Sequence, residues 1–377
     1  MQYLKKIKRA VIIESILLSC FGIVWATGVL RDGFPKAEEQ AIELEVFAEK
    51  KYIKWVDFNI SYEALCEAYK WDVDTYKENL ENKEAVHVNW IELLAYAGAK
   101  NGGKFPKGSV SEISKAARKL TSKETTMREL TKDMEYYAYY LEAYSAVLGG
   151  FVGEYEIQKP MEDGTVEWQS CYGLKAFSPV AKGFAYNDYD DFGTSRSYGY
   201  SRPHLGHDMM GQVGTPIIAI ESGYVEAIGW NQYGGWRLGI RSFDGKRYYY
   251  YAHLRQNFPY CKDLEEGSVV TAGQVIGYMG HTGYSTKENV NNIEVTHLHW
   301  GLQLIFDESQ KEGNNEIWID CYNLTRFLYK NRSETVKNTE TKEWYRIYEM
   351  KDPAVLEYNS KVNIKKPEVT DKTAEQE

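Results

Sequence analysis

Six of the seven histidines in the chain, His204, His207, His253, His281, His297 and His299, fall within 96 residues, and only His87 lies elsewhere. Imidazole is both the commonest metal ligand and the usual acid–base group near neutral pH. His297-Leu298-His299 sets two imidazoles at i and i+2, which on a strand project from one face. One can bind a metal while its neighbour works on a substrate in the same cavity. His204-Leu205-Gly206-His207-Asp208 offers an imidazole and a carboxylate four residues apart in a glycine-containing loop, so that both can converge on one ion. Ligands of N, N and O type leave a fourth tetrahedral position open, which is the coordination of catalytic rather than structural zinc. Tyr249, Tyr251 and His253 alternate onto one face of a strand, which lets His253 join His297 beside such a site.

The elements that must position these groups follow from periodicity. Short β-prone runs at 217–220, 224–230, 237–241, 247–251, 274–279 and 298–304 are separated by turns such as Glu221-Ser222-Gly223, Tyr233-Gly234-Gly235 and Asp244-Gly245. Closely spaced strands with tight turns imply an antiparallel sheet or a compact barrel-like sandwich. Upstream, residues 35–150 carry apolar residues every three to four positions and read as an all-helical domain. Within it, Ser61 precedes one helix, Ser109 with Glu112 reads as a capping box, and a single helix is expected from Met127 to Leu148, ended by Gly149-Gly150. Residues 151–185 read as a connector with some strand character, and 331–377 as a polar tail.

At the histidine-bearing residues the chain resembles the M23 (lysostaphin-like) metallopeptidase family. The correspondence runs through His204 to Asp208, Tyr251-Ala252-His253-Leu254, the turn Gly280-His281-Thr282-Gly283-Tyr284-Ser285-Thr286, and His297-Leu298-His299, and it spans about residues 190 to 306. The resemblance implies Zn2+ held by His204, Asp208 and His299. It makes His253 and His297 the acid–base and transition-state-stabilising pair, with Tyr198 or Tyr200 as a candidate assistant. It assigns no role to His207 or His281, which are expected to be structural or surface groups. Two departures stand out. Ten residues, 287–296, separate Thr286 from His297, and Trp300-Gly301 follow the last ligand; the longer loop is expected to reshape one wall of the substrate groove. The implied activity is hydrolysis of peptide links in bacterial peptidoglycan. The rival is a non-catalytic wall-binding scaffold or hydrolase activator, although degenerate members of that kind generally lose ligands. The expected class is therefore α+β: an N-terminal transmembrane helix, an all-helical domain over 35–150, then an antiparallel β-sheet M23 peptidase domain over 186–330.

The membrane expectation rests on Lys5, Lys6, Lys8 and Arg9, followed by an apolar run from Ala10 to Leu30. Its length is near the ~20 residues that span a bilayer, and the basic flank would keep residues 1–34 as a cytoplasmic stub and anchor, with the remainder outside. A cleaved signal peptide or a lipoprotein signal ending at Cys20 would export the chain as well. The first fits less well because its apolar region is usually ~7–15 residues, the second because the run continues beyond Cys20. A net charge of -9 and a pI near 5.5 argue against nucleic acid as a partner. The helical domain is a candidate surface for a membrane-complex partner. The five cysteines form no Cys-x-x-Cys pair and are expected to be unpaired.

Overall fold

The computed structural model describes residues 52–365 apart from 199, 312 and 314. The expected anchor over 10–30 and Cys20 lie outside these residues. No helix among the described residues is long and apolar enough to cross a membrane. The other four cysteines, Cys66, Cys171, Cys261 and Cys321, are free.

The described residues begin with five helices: α1 (Tyr62–Glu81), α2 (Trp90–Lys100), α3 (Ser109–Thr121), α4 (Met127–Thr131) and α5 (Tyr137–Leu148). Ser61 caps α1 by accepting from the Ala64 amide, and Asn89 caps α2 by accepting from the amides of Ile91 and Glu92. The expected capping box at α3 is absent. Its N-cap is Gly108, Ser109 is buried with its hydroxyl unpartnered, and Glu112 instead pairs with Lys100 and accepts from Asn101. The single helix expected over 127–148 is broken, because the intervening turn carries Lys132, Asp133 and Glu135, all exposed, and no burial holds it in helical register.

Next come β1 (Val152–Pro160) and β2 (Val166–Leu174), which pair antiparallel along their full length, so the segment expected as a connector is a regular hairpin. The remaining strands are β3 (Asn187–Asp188), β4 (Ser195–Tyr198), β5 (Tyr200–Pro203), β6 (His207–Met210), β7 (Pro216–Ile218), β8 (Gly223–Asn231), β9 (Gly235–Ser242), β10 (Arg247–Ala252), β11 (Val269–Val270), β12 (Val275–Tyr278), β13 (His297–Leu304) and β14 (Ile317–Ile319). Their centre is an antiparallel sheet in the order β11-β8-β9-β10-β13-β6-β3, with β14 also on β13. After it come α6 (Tyr322–Leu328), β15 (Thr335–Lys337), β16 (Trp344–Arg346), β17 (Met350–Lys351) and α7 (Pro353–Lys365). The polar tail expected from 331 is therefore partly structured. β17 adds to β1, and the buried Met350 packs with Phe177 and Tyr278, which polarity averaged over the segment conceals.

One face of the sheet is apolar. Leu298, Trp300, Leu302, Tyr249, Tyr251, Leu238 and Ile240 are buried in a cluster that continues into Leu65, Trp90, Leu94 and Tyr144 of the helices and Phe327 of α6. The helices over 62–148 therefore share a core with the sheet. Arg247 fastens the join. Its guanidinium is buried, donating from Nη1 to the Ala146 carbonyl near the C-terminus of α5 (2.9 Å) and from Nε to Glu221 (2.7 Å). Gly150 makes room for that carboxylate, since a Cβ there would lie 1.7 Å from Glu221 Oε1.

Candidate metal centre

The opposite face of the same sheet carries the polar groups, because alternation sends neighbouring side chains to opposite sides. In the antiparallel register His299 of β13 lies opposite Asp208 of β6 on one side and Ala252 of β10 on the other. Cross-strand neighbours stand about 4.5–5.5 Å apart at Cβ. Asp208 and His299 thus meet because Leu298 and Trp300 are anchored in the core beneath them. His204 arrives from the β4–β5 hairpin. Its backbone is tied to the segment just before β4 by hydrogen bonds from the His204 amide to the Thr194 carbonyl and from the Gly193 amide to the His204 carbonyl, both 2.8 Å. Gly206 lets the loop pass close to the site, as a Cβ there would lie 2.5 Å from His299 Nε2.

His204, Asp208 and His299 offer ligand atoms that all lie within 4.8 Å of one another. His204 Nε2 is 3.0 Å from Asp208 Oδ1 and 3.0 Å from His299 Nδ1, and His299 Nδ1 is 2.8 Å from Asp208 Oδ1. A zinc tetrahedron with ~2.0–2.1 Å bonds has ligand-to-ligand edges of roughly 3.3 Å, so a small expansion admits the ion. The proton inventory also suits a cation. Asp191 Oδ1 stands 3.1 Å from His204 Nδ1. If Nδ1 donates there, the Nε2 lone pair faces a carboxylate oxygen and another imidazole, an arrangement that needs positive charge among them. Burial pushes the Asp208 carboxyl up, yet the hydrogen bonds and charge of His204, His299 and His297 outweigh it and hold the group far below the usual carboxylate range. Burial lowers His299 despite its bond to Asp208, which favours the neutral imidazole a metal requires.

Beside this cluster stand two further imidazoles. His253 follows β10 directly and adopts φ +61°, with its amide on the Gly234 carbonyl (2.7 Å) and its carbonyl accepting from Gly280 (3.0 Å). Its Nδ1 lies 2.9 Å from the Thr282 carbonyl and that of His297 lies 2.7 Å from the Val295 carbonyl. A carbonyl can only accept, so both Nδ1 atoms carry the proton and both Nε2 atoms are left as bases. The two rings are 4.7 Å apart between centroids, and His297 Nε2 is 3.8 Å from Asp208 Oδ1. Burial, then the neighbouring His297 and His299, push His253 well below its ordinary value. All five residues line or face a groove of about 560 Å3.

The other expectations resolve as follows. His207 points to the opposite side of β6 and bonds Asp188 (2.9 Å), while His281 bonds the Ile293 carbonyl (2.8 Å); neither joins the cluster. The side chains of Tyr198 and Tyr200 lie outside the described residues. The 287–296 loop does not line the groove. Asn289 ties it to Trp236, Gln256 and Asn257, and Asn292 donates to the Tyr284 carbonyl (2.7 Å), so the insertion braces Tyr284 from behind. Asp191 and Arg196 are the residues that sequence reasoning missed. Arg196 is ion-paired to Asp191 and stands 3.5 Å from Asp208 Oδ2. Asp191→Ala removes the partner that orients His204, and outer-shell partners of this kind are worth about 10–100-fold in metal affinity. Titration with a competing chelator should show zinc affinity falling by that factor; an unchanged affinity would show that the hairpin alone orients His204.

The pattern of Peptidase family M23 matches residues 202–337. Over 124 residues the chain is 36% identical to an L-Ala-D-Glu endopeptidase of Bacillus subtilis, a stretch that is 33% of this chain and 36% of that relative. It is 38% identical over 89 residues to lysostaphin of Staphylococcus simulans, 23% of this chain and 17% of the relative. The chain therefore spans at most about a third of the length of these relatives. A solved structure of a candidate glycyl-glycine endopeptidase, lytM, from Ruminococcus gnavus aligns over 74% of this chain and 91% of its own at 23% identity, with a TM-score of 0.46.

Proposed function

We propose that residues 202–337, which match Peptidase family M23, form an M23 peptidase domain, and that the chain is a zinc metalloendopeptidase cutting peptide bonds in bacterial peptidoglycan. The observation that carries the proposal is the convergence of His204 Nε2, Asp208 Oδ1 and His299 Nδ1 beneath a groove into which two separate imidazoles face. Zinc held by the three would supply Lewis acidity toward the scissile carbonyl and activate water near neutral pH. His253 and His297, each with Nδ1–H committed to a backbone carbonyl, present Nε2 to take up a proton and then return it to the leaving amine. Once protonated, either imidazole donates to the oxyanion that develops on the carbonyl. A relative named as an endopeptidase supports the reaction class. The proposal includes an anchor over 10–30 that holds the catalytic part outside the membrane, supported by the basic residues before a 21-residue apolar run.

The test is mass spectrometry of fragments released from purified cell walls by the zinc-loaded full chain. New amine and carboxyl termini within the peptides are expected, with none produced after chelation. Bound zinc with no released peptide would favour the scaffold. Protease added to intact spheroplasts should trim the chain; full protection would remove the outward orientation.

A further inference from the structure

The groove holds four cations, and they are not alike. Arg196 is tied to Asp191, and Lys311 is paired with Glu226 at 2.6 Å. Glu316, the carboxylate of the groove outside the metal cluster, accepts from Trp318 Nε1 (2.8 Å). Arg202 and Arg237 also line the groove, are half-buried, and have no carboxylate partner among the described residues. Arg202 lies over the ring of Tyr233 (4.7 Å) and that of Tyr284 (5.6 Å) and donates to the Tyr284 hydroxyl at 3.2 Å. These contacts hold the guanidinium beside the two rings and leave donors over. Arg237 alternates with Trp236 and Leu238 on β9, so it rises from the sheet face opposite the core. Tyr250 lines the same groove as both arginines.

Half-buried guanidinium groups are costly without an anion, and their fork of donors matches a carboxylate. Their place in the sheet says where that anion would sit. Leu238 pairs with Tyr251, and Ala252 pairs with His299, so Arg237 rises two strands from the metal ligand, roughly 10 Å away. Given the length of an arginine side chain and about 3.5 Å per extended residue, a carboxylate held there is within about two residues of the scissile bond. We propose that Arg202 and Arg237 form an anion subsite that selects acidic peptides, those bearing a free carboxylate next to the cleaved bond, over neutral bridges such as oligoglycine. The inference rests on the hydrolase reading above for the meaning of the metal site, and it names the substrate class of that site.

The experiment uses the zinc-loaded full chain and the acylated stem tetrapeptide L-Ala-γ-D-Glu-L-Lys-D-Ala. It is compared with versions in which the D-Glu α-carboxylate, the terminal carboxylate, or both are carboxamides, and with pentaglycine. A charge-assisted hydrogen bond corresponds to about 10-fold or more in affinity. We expect kcat/KM to fall about 10-fold, mainly through KM, when the recognised carboxylate becomes an amide, and the single-amide peptides show which of the two it is. Arg202→Gln and Arg237→Gln should each shrink that preference with little change in kcat. Binding of the same peptides to the zinc-loaded His253→Ala chain, read by fluorescence anisotropy, separates recognition from chemistry. Arginine-dependent preference for the carboxylate form without cleavage by wild type would keep the subsite and sink the hydrolase. Equal treatment of acid and amide, or a preference untouched by both arginine variants, overturns the subsite.

Discussion

His299→Ala purifies folded and nearly free of zinc, with wall hydrolysis reduced by more than the ~10- to 100-fold that loss of an outer-shell partner brings. The fold survives because the His299 side chain stands on the groove face, whereas its neighbours Leu298 and Trp300 carry the packing of β13. Binding fails because His204 Nε2 and Asp208 Oδ1 remain 3.0 Å apart but lose the third donor that completes the cluster. Elemental analysis after dialysis, with circular dichroism as the folding control, measures this. Zinc retained at one ion per chain would mean that the ion sits elsewhere, and the metal assignment would fall with it.

His253→Ala should separate the two halves of the site. Its ring nitrogen is committed to Thr282 and it makes no hydrogen bond to His204, Asp208 or His299, so zinc stays bound. General acid–base groups contribute about 100- to 10,000-fold, and kcat should fall within that range while KM moves little. Steady-state kinetics on a defined peptide, with metal content measured on the same sample, make the comparison. Loss of zinc would place His253 among the ligands, and an unchanged kcat would leave His297 as the sole base.

Much of this centre was legible before any coordinates, because most of its groups obey local geometry. His253 does not, since Tyr249 and Tyr251 are buried in the core and His253 lines the groove beyond the end of β10, at a positive φ that breaks the alternation. Two histidines at i and i+2 on a strand need no tertiary information to share a face, and the loop from His204 to Asp208 is short enough to close on itself. Asp191 was not legible. It meets His204 across 13 positions that fold back through the β4–β5 hairpin, and four-residue polar strands leave little periodic trace. Arg247 was hidden for a related reason. A charged residue in a strand reads as solvent-facing until the Glu221 carboxylate and the end of α5 are known to enclose it. The helical region was visible as helix but not as part of the same core, since the packing of Trp90 against Phe327 joins residues more than two hundred positions apart. Pairing of β17 with β1 is equally remote in the chain, and a two-residue strand carries no alternation to detect.

The backbone of His253 occupies a region of conformational space where a residue with a Cβ sits about 1 kcal/mol above its comfort. Folding and employment therefore make opposite demands on one torsion angle. A descendant released from its task could shed that burden by drifting to glycine at this position, easing the backbone and falling idle in a single step.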